Sequence, residues 1–466
     1  MKKVLITGLF NVLHLGHIRL LNYAKSLGDH LIVGIESDKF SKRRSTNSQS
    51  DRLETLKNIS SVDEVFIMDN VEKSLLKYKP DIVVKGDEFQ GKKNKEEKII
   101  KKLNASLVYS SANSFSVDAT EINNKNNFLD KDTGYLKRNK ISNKKLFKII
   151  NNFKNLNVCI IGDFILDEYI SCNPIGMSQE DYTVTYRRTN HKYYLGGSAI
   201  VAAHAAKLGS KVDYYTVVGY DEKLNKKLEE YKSPNLRKFI FYDKTRPTIL
   251  KQRYRTKDRN VFKLSVLDER SIDLNIQNEI LNKIKSSEKN YDLVIFSDFN
   301  YGVLNKKIVS QLTAYFKNKK TFISADSQYS SQTGDMSKFK NVSLIMPTEY
   351  EVRSMLRDND SGLIVIIDKL KKKLLCKNII LKLGDQGMLI HFSEKNKWMD
   401  ERLPALNKYP LDVAGAGDSM LAISSLAMRS GANIVEASYL ASIAAGIQVS
   451  KIGNQPITIK EILSNI

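Results

Sequence analysis

The sequence predicts an α/β protein of two domains, each built on a mostly parallel sheet, and three observations carry that expectation. At 466 residues the chain exceeds what one ordinary core supports. Short β-branched runs alternate with helix-periodic runs along most of its length, the pattern of strands joined by covering helices. A Lys/Asn-rich stretch interrupts the alternation near residue 120 and splits the chain unequally. Hydrophobic residues at 42% and charged residues at 27% are globular proportions and exclude a mostly disordered chain.

In order, KKVLITG reads as a strand, HIRLLNYAKSLG as a helix and HLIVGIES as a strand. DRLETLKNI and VEKSLLKYK read as helices flanking the strand VDEVFIM, and PDIVVKG as a further strand, giving a first domain over residues 1–122. Residues 121–157 hold nine basic side chains, three acidic ones and ten Asn, so 123–156 is expected to be a linker with one helix around Lys144–Asn152. From VCIIGDFIL the alternation resumes through YDLVIFSD, TFISAD, VSLIMP and NIILKLG, which makes 157–466 the second domain. No fixed-period repeat relates the halves.

The net charge of +22 is spread over the whole chain, so solvated lysines on an enzyme are favoured over a nucleic-acid surface. No apolar stretch reaches the ~18 residues of a membrane span, because Asp418 and Glu436 break the longest ones. The apolar start is interrupted by Asn11, His14 and His17 and reads as a strand entering a turn, not a secretory signal. Three cysteines without metal-ligand spacing fit a reducing cytoplasm, and no metal site is expected from them.

Two segments carry chemistry. In the first, strand and helix flank Thr7-Gly8-Leu9-Phe10-Asn11-Val12-Leu13-His14-Leu15-Gly16-His17. Gly16 lets a phosphate approach the backbone at a helix start, and His14 and His17, three apart, can converge on that phosphate. Such donors stabilise charge developing during attack; polar caps or metal ligands are the plainer alternatives. The run through LGDHLIVGIESD resembles the cytidylyltransferase-like nucleotidyltransferases, whose pattern is G-x-F-D-x-x-H-x-G-H followed by L-G-D-x-L-I-V-x-V-x-S-D. Within them it is most similar to the adenylyltransferase domain of the bifunctional heptose kinase/adenylyltransferases. Arg52 and VVKGDEF at 83–89 match as well. The resemblance implies a Rossmann-like fold, triphosphate contacts from His14 and His17, a nucleotide pocket shaped by Gly8 and Phe10, and Lys85, Gly86 and Asp87 near nucleotide or sugar phosphate. Asn11 stands where the family has Asp, and Ser114-Phe115-Ser116 is a loose match to its phosphate-binding motif.

The second segment is Asp412-Val413-Ala414-Gly415-Ala416-Gly417-Asp418-Ser419, leading into an apolar helix. Small residues there can aim backbone N–H groups at a phosphoryl group, with Asp418 as a base at the lip; close helix packing with Asp418 as a cap reads equally well from the residues alone. No G-x-x-x-x-G-K-[ST] is present, so the chain holds no P-loop. The run resembles the signature of the ribokinase-like (phosphofructokinase B) sugar kinases, and further matches follow in order. By that resemblance Asp418 is the catalytic base, and Gly415, Ala416 and Gly417 hold the γ-phosphate of ATP, with Mg2+ bridging its phosphates. Asp163 in GDFILDEY binds sugar hydroxyls, the Gly196-Gly197 pair lines the sugar pocket, and Lys251 and Arg253 face the substrate. Thr348 and Glu351 occupy the family's N-x-x-E positions, Gly384 the turn beside the nucleotide and Asn454 the segment near the adenine. Ile200 and Tyr301 stand where the family has Asn and Lys.

Together the resemblances imply a cytoplasmic bifunctional enzyme using ATP and a sugar phosphate: a ribokinase-like doubly wound sheet with a small β lid behind a nucleotidyltransferase. The implied chemistry is anomeric phosphorylation of heptose 7-phosphate and adenylyl transfer to heptose 1-phosphate, giving ADP-heptose for lipopolysaccharide synthesis, in the reverse domain order to that family. Dimerisation through the kinase domain is implied; a membrane or nucleic-acid partner is not. The alternatives are another sugar or polyol phosphate, with CTP in the transferase half, or a basic regulatory protein on degenerate enzyme folds.

Overall fold

The computed structural model describes residues 2–11, 13, 15–41, 47–86, 96–110, 129, 132–256, 260–329, 334–394 and 397–466. The chain divides into two compact units, Met1–Asn126 and Asn127–Ile466.

In the first unit, strands β1 (Lys3–Gly8), β2 (His30–Glu36), β3 (Glu64–Met68), β4 (Ile82–Gly86) and β5 (Ser106–Ser110) form a parallel sheet in the order β3-β2-β1-β4-β5. Helices α1 (Leu15–Ser26), α2 (Gln49–Lys57), α3 (Val71–Tyr78) and α4 (Glu97–Lys102) connect them. The strands are apolar at successive positions because both faces are covered: Val4, Ile6, Val33 and Val84 enter one cluster, and Leu5, Ile32 and Val83 another. The strand order reverses between β1 and β4, so their C-terminal ends open a crevice where such sheets bind ligands.

The second unit begins earlier than the sequence suggested. Helices α5 (Thr133–Arg138) and α6 (Asn143–Asn151) lie in the expected linker, yet Tyr135, Leu146, Ile149, Ile150 and Phe153 are buried in this unit's core. The spacing from Leu146 to Phe153 is one helical stripe, masked by the Asn and Lys on its exposed side. Tyr135 also anchors the segment by donating to the carbonyl of Val435 at 2.9 Å.

Its main sheet holds β6 (Asn157–Gly162), β9 (Lys211–Val218), β10 (Leu236–Tyr242), β13 (Leu293–Asp298), β14 (Phe322–Ser327), β15 (Leu344–Ile345), β16 (Asn378–Lys382), β17 (Met388–Glu394) and β18 (Lys397–Leu403). The order is β10-β9-β6-β13-β14-β15-β16-β17-β18, parallel up to β16 and antiparallel beyond. A second sheet, β12-β11-β7-β8, is the expected lid; its strands are β7 (Phe164–Met177), β8 (Val184–Gly197), β11 (Leu250–Arg255) and β12 (Asn260–Val266). Helices α7 (Ser198–Lys207), α8 (Glu222–Glu230), α9 (Leu274–Lys285), α10 (Lys306–Asn318), α11 (Glu349–Leu356), α12 (Leu363–Leu374), α13 (Ala416–Arg429), α14 (Ile434–Val449) and α15 (Ile459–Leu463) complete the unit. The apolar α13 and α14 are buried along most of their length, which fixes the start of α13 against the strand ends. Among the described residues no helix is long and apolar enough to cross a membrane.

Candidate active site

A cleft of about 430 Å³ lies in the second unit between the lid strands, the ends of β14 and β16, and the start of α13. Gly415 caps α13 with φ +77°, a left-handed backbone open to glycine, and a Cβ there would lie 2.3 Å from Asn454 Oδ1. Gly417 and Asp418 follow in the first turn, where free N–H groups and the helix dipole favour an anion.

Asp418 faces a crowd of charges. Burial, with Asp326 and Asp167 nearby, pushes its carboxyl up to about 7, while Lys382 and Lys251 pull the other way. Asp326, next to last in β14, accepts from Lys382 Nζ at 2.6 Å; its Oδ1 is buried without a hydrogen-bond partner. Burial raises the Asp326 carboxyl against the pull of Lys382, and Glu351 adds to the rise. Lys382 stays cationic: burial disfavours its charge, but Asp326 and Glu351 outweigh that and raise it.

The lid supplies the opposite wall. Lys251 places its ammonium 5.5 Å from the Phe299 ring centre and 5.3 Å from that of Tyr301, so a cation stands over the position where the family has Lys. Arg253 pairs with Asp167 at 3.2 Å, and Lys263, opposite Arg253 on β12, also lines the cleft. Asp412 fastens the lid to the α13 turn by accepting from Tyr169 Oη at 2.7 Å and from the N–H of Gly453 at 3.0 Å.

Several expected residues fall elsewhere. Asp163, predicted on sugar hydroxyls, is fully buried and accepts backbone N–H groups of Phe299 (2.8 Å), Tyr301 (3.3 Å) and Val303 (3.2 Å). As the single residue between β6 and β7 it points inward and fixes the 299–303 turn. Asp167, four residues on, is the carboxylate that reaches the cleft, and burial raises it against Arg253 and Lys251. Gly197 lines the cleft, while Gly196 makes room for Asp167, whose Oδ2 would lie 2.3 Å from an added Cβ. Asn454 does line the cleft, and donates to Asp167 Oδ2 at 3.1 Å.

Thr348 and Glu351 do not line the cleft either. They form a capping box at the start of α11, with the Thr348 N–H donating to Glu351 Oε2 at 2.6 Å, and Glu351 also accepts from the Tyr329 N–H at 3.3 Å. Glu351 acts on the cleft through its field on Asp326 and Lys382. Gly384 forms the turn after β16 with φ +62° and is not a cleft-lining residue. Ile200, in the expected place of an Asn, is fully buried in α7. Sequence reasoning passed over Asp167, Asp326, Lys382 and Lys263. Asp326 and Lys382 sit at the C-terminal ends of strands read correctly as strands, which was the available signal.

In the first unit, Gly8 and Gly86 end the two strands flanking the crevice. Phe10 is buried with φ +46°, and its ring centre lies 5.3 Å from that of His17 in α1. An added Cβ at Gly8 would press on Phe10 at 3.2 Å. Arg52 is buried and donates to the carbonyls of Leu9 (2.7 Å), Glu36 (2.8 Å) and Asn47 (3.2 Å) and to Asp38 Oδ1 (2.6 Å). Asn11 joins that scaffold by accepting from the N–H of Asn47 at 3.2 Å. Lys85 pairs with Glu96 at 2.8 Å. Gly16 lies in α1; His14, Asp87 and residues 114–116 lie outside the described residues.

A doubly wound sheet, a β lid and an acid in the first turn of a glycine-started helix define a lidded small-molecule kinase of ribokinase-like fold. Solved structures share the fold: ribokinase from Thermotoga maritima superposes with a TM-score of 0.51 at 19% identity, covering 66% of this chain and 98% of that one. Phosphofructokinase-2 from Escherichia coli gives a TM-score of 0.54 at 16% identity, covering 66% and 97%. The chain belongs to the pfkB family of carbohydrate kinases, whose family model matches residues 155–461. A cytidylyltransferase-like model matches residues 5–142. Curated relatives are the bifunctional protein HldE of Campylobacter curvus, 29% identical over 317 residues, and that of Campylobacter jejuni, 32% identical over 310. Each alignment covers 66% of this chain and 64% of the relative, so the match spans about two thirds of either protein.

Proposed function

We propose that the protein is a bifunctional enzyme of nucleotide-sugar synthesis. Its second unit phosphorylates the anomeric hydroxyl of heptose 7-phosphate with ATP, and its first transfers AMP to heptose 1-phosphate, releasing pyrophosphate and ADP-heptose. The names of the HldE relatives and the two family matches support the pairing. The observation that carries the kinase half is Asp418, held in the first turn of α13 at the floor of a cleft ringed by Lys251, Arg253, Lys263 and Lys382. The acceptor hydroxyl gives its proton to the Asp418 carboxylate as its oxygen bonds to the γ-phosphorus; the bond from that phosphorus to the β-bridging oxygen breaks, and ADP leaves. Gly415 to Gly417 receive the phosphoryl oxygens on backbone N–H groups.

The partnerless, buried Asp326 Oδ1 beside the start of α13 fits the hydrated Mg2+ that accompanies ATP. Asp326, backed by Glu351, would hold it, and when bound it neutralises phosphate charge. In the first unit His17, with His14 and the β1 and β4 ends, serves the triphosphate. The protein acts in the cytoplasm, consistent with three free, buried cysteines. Dimerisation runs through the lid, where Ile175, Met177 and Val184 expose apolar surface. The buried Ile200 and the Tyr301 substitution favour a second reading, the same two reactions on another sugar or polyol phosphate, with CTP as a candidate for the first unit.

The test is ATP consumption with heptose 7-phosphate beside Asp418→Asn. Turnover that falls by roughly 10²–10⁴-fold in the variant is expected. Absence of turnover in the parent while ATP still binds would reject the heptose and direct the search to other sugar phosphates.

A further inference from the structure

The cations of the cleft divide between two places. Lys251, Arg253 and Lys263 project from the lid strands into the cleft. Lys382 stands apart from them at the end of β16, on the floor of the cleft. A Cβ added to Gly417 would lie 3.3 Å from Lys382 Nζ and 3.9 Å from Asp326 Oδ2, so the ammonium occupies the mouth of the anion hole that opens α13. It is held there by the 2.6 Å bond to Asp326 Oδ2, while the backbone N–H of Lys382 donates to the Pro347 carbonyl at 2.8 Å. An ammonium carries three donors, so one can stay on Asp326 while the others meet an arriving phosphate oxygen. A merely structural ion pair would have no reason to line the cleft or to leave the second Asp326 oxygen buried and unbonded beside it.

We propose that Lys382 is a catalytic residue of the phosphoryl transfer, its ammonium carrying the charge of the transferring γ-phosphoryl group at the start of α13. The proposal rests on the kinase reading and adds a residue to it. Asp326 is then a positioning residue: its 2.6 Å bond holds the ammonium beside Gly417. The floor cation attends the donor's terminal phosphate, and the lid cations attend the acceptor.

That division is testable without knowing the acceptor. Calorimetric binding of ATP and of ADP, both with Mg2+, is measured on the full chain, on Lys382→Met and on Lys382→Arg. Loss of a charge contact confined to the γ-phosphate should weaken ATP by about 10-fold or more and ADP by less than about 3-fold. Lys382→Arg should keep most of the ATP preference, and with heptose 7-phosphate it should keep more turnover than Lys382→Met. Because Lys382→Met leaves Asp326 without its donor, Lys382→Gln, whose amide can still donate to Asp326, serves as the folded control and should lose the same preference. Equal weakening of both nucleotides, or an unchanged ratio in both Lys382→Met and Lys382→Gln, overturns the role of Lys382 alone. A parent chain that binds neither nucleotide overturns the kinase reading and Lys382 with it.

Discussion

The two units both gather candidate phosphate-handling groups at the C-terminal ends of parallel strands, but they surround them differently. In the second unit, Asp167, Asp326 and Asp418 share one cleft with Lys251, Arg253, Lys263 and Lys382, and burial raises all three carboxyls. Among the described residues of the first, the buried charge is Arg52, bonded to three carbonyls and Asp38, holding loops instead of facing a ligand. His17 lies with its ring tilted against that of Phe10, 5.3 Å between centres. The difference suits the chemistry: attack by a sugar hydroxyl needs a base, whereas a sugar phosphate is already a nucleophile and needs charge stabilisation at the triphosphate.

That contrast is tested most strongly by disabling each unit in turn. Asp418→Asn is expected to remove phosphorylation by roughly 10²–10⁴-fold and leave pyrophosphate release from ATP and heptose 1-phosphate near the parent rate. His17→Ala should do the reverse, lowering pyrophosphate release by about 10²–10³-fold with phosphorylation retained. Coupled assays of the two products on one preparation decide it. A variant that silences both products would mean the sites are not separate.

How much of this was legible in the sequence depended on whether a residue's work was local. The strand–helix alternation exposed both sheets, and Asp418 with its glycines was readable because a helix start is a local event. Asp163 and Asp167 were not separable. They are four residues apart in one apolar run, and which of them meets the cleft is decided by the turn at 299–303, about 135 residues away. Lys382 was hidden likewise, since only strand order brings β16 beside β14 through the two-residue β15. The helix at 143–151 was legible, but α5 and the docking of both helices in the core were not, because the Asn and Lys content of the stretch outweighed a four-residue apolar stripe.

The pair of aspartates gives a second, smaller effect. Asp163→Asn exchanges a carboxylate holding three backbone N–H groups for an amide with one acceptor oxygen, so it should cost on the order of 2–3 kcal/mol of stability. KM for the acceptor should rise little in whatever remains folded. Asp167→Asn should leave the melting temperature near the parent value and raise that KM by about 10-fold or more, since its carboxylate faces the cleft. Denaturant melts and acceptor titrations separate the two. A KM effect in Asp163→Asn equal to that of Asp167→Asn would return Asp163 to the sugar.

The smallest effect concerns the stability cost of placing an acid where Asp418 stands. Its carboxyl is raised from an ordinary 3.8 to about 7, by burial first and then by Asp326 and Asp167. Between those pH values the folded chain keeps a proton that the unfolded chain releases. Stability contributed by that proton is therefore present below about pH 4, falls as pH rises and is gone above about pH 7. The side chain is partly open to the cleft, so the loss should be on the order of 1 kcal/mol, discounted for water there. Asp418→Asn should match the parent near pH 4 and exceed it by that amount at pH 8. Trp398, the single tryptophan, lies in β18 stacked 4.7 Å from the His391 ring, so its fluorescence follows the second unit alone during denaturation. The upper end of that change, near pH 7, should coincide with the acid limb of the kinase rate, because both report the Asp418 proton of the folded chain. A parent and variant whose stabilities run parallel across pH 4–8 would show that Asp418 is ionised throughout. The rate would then owe its pH dependence to another group.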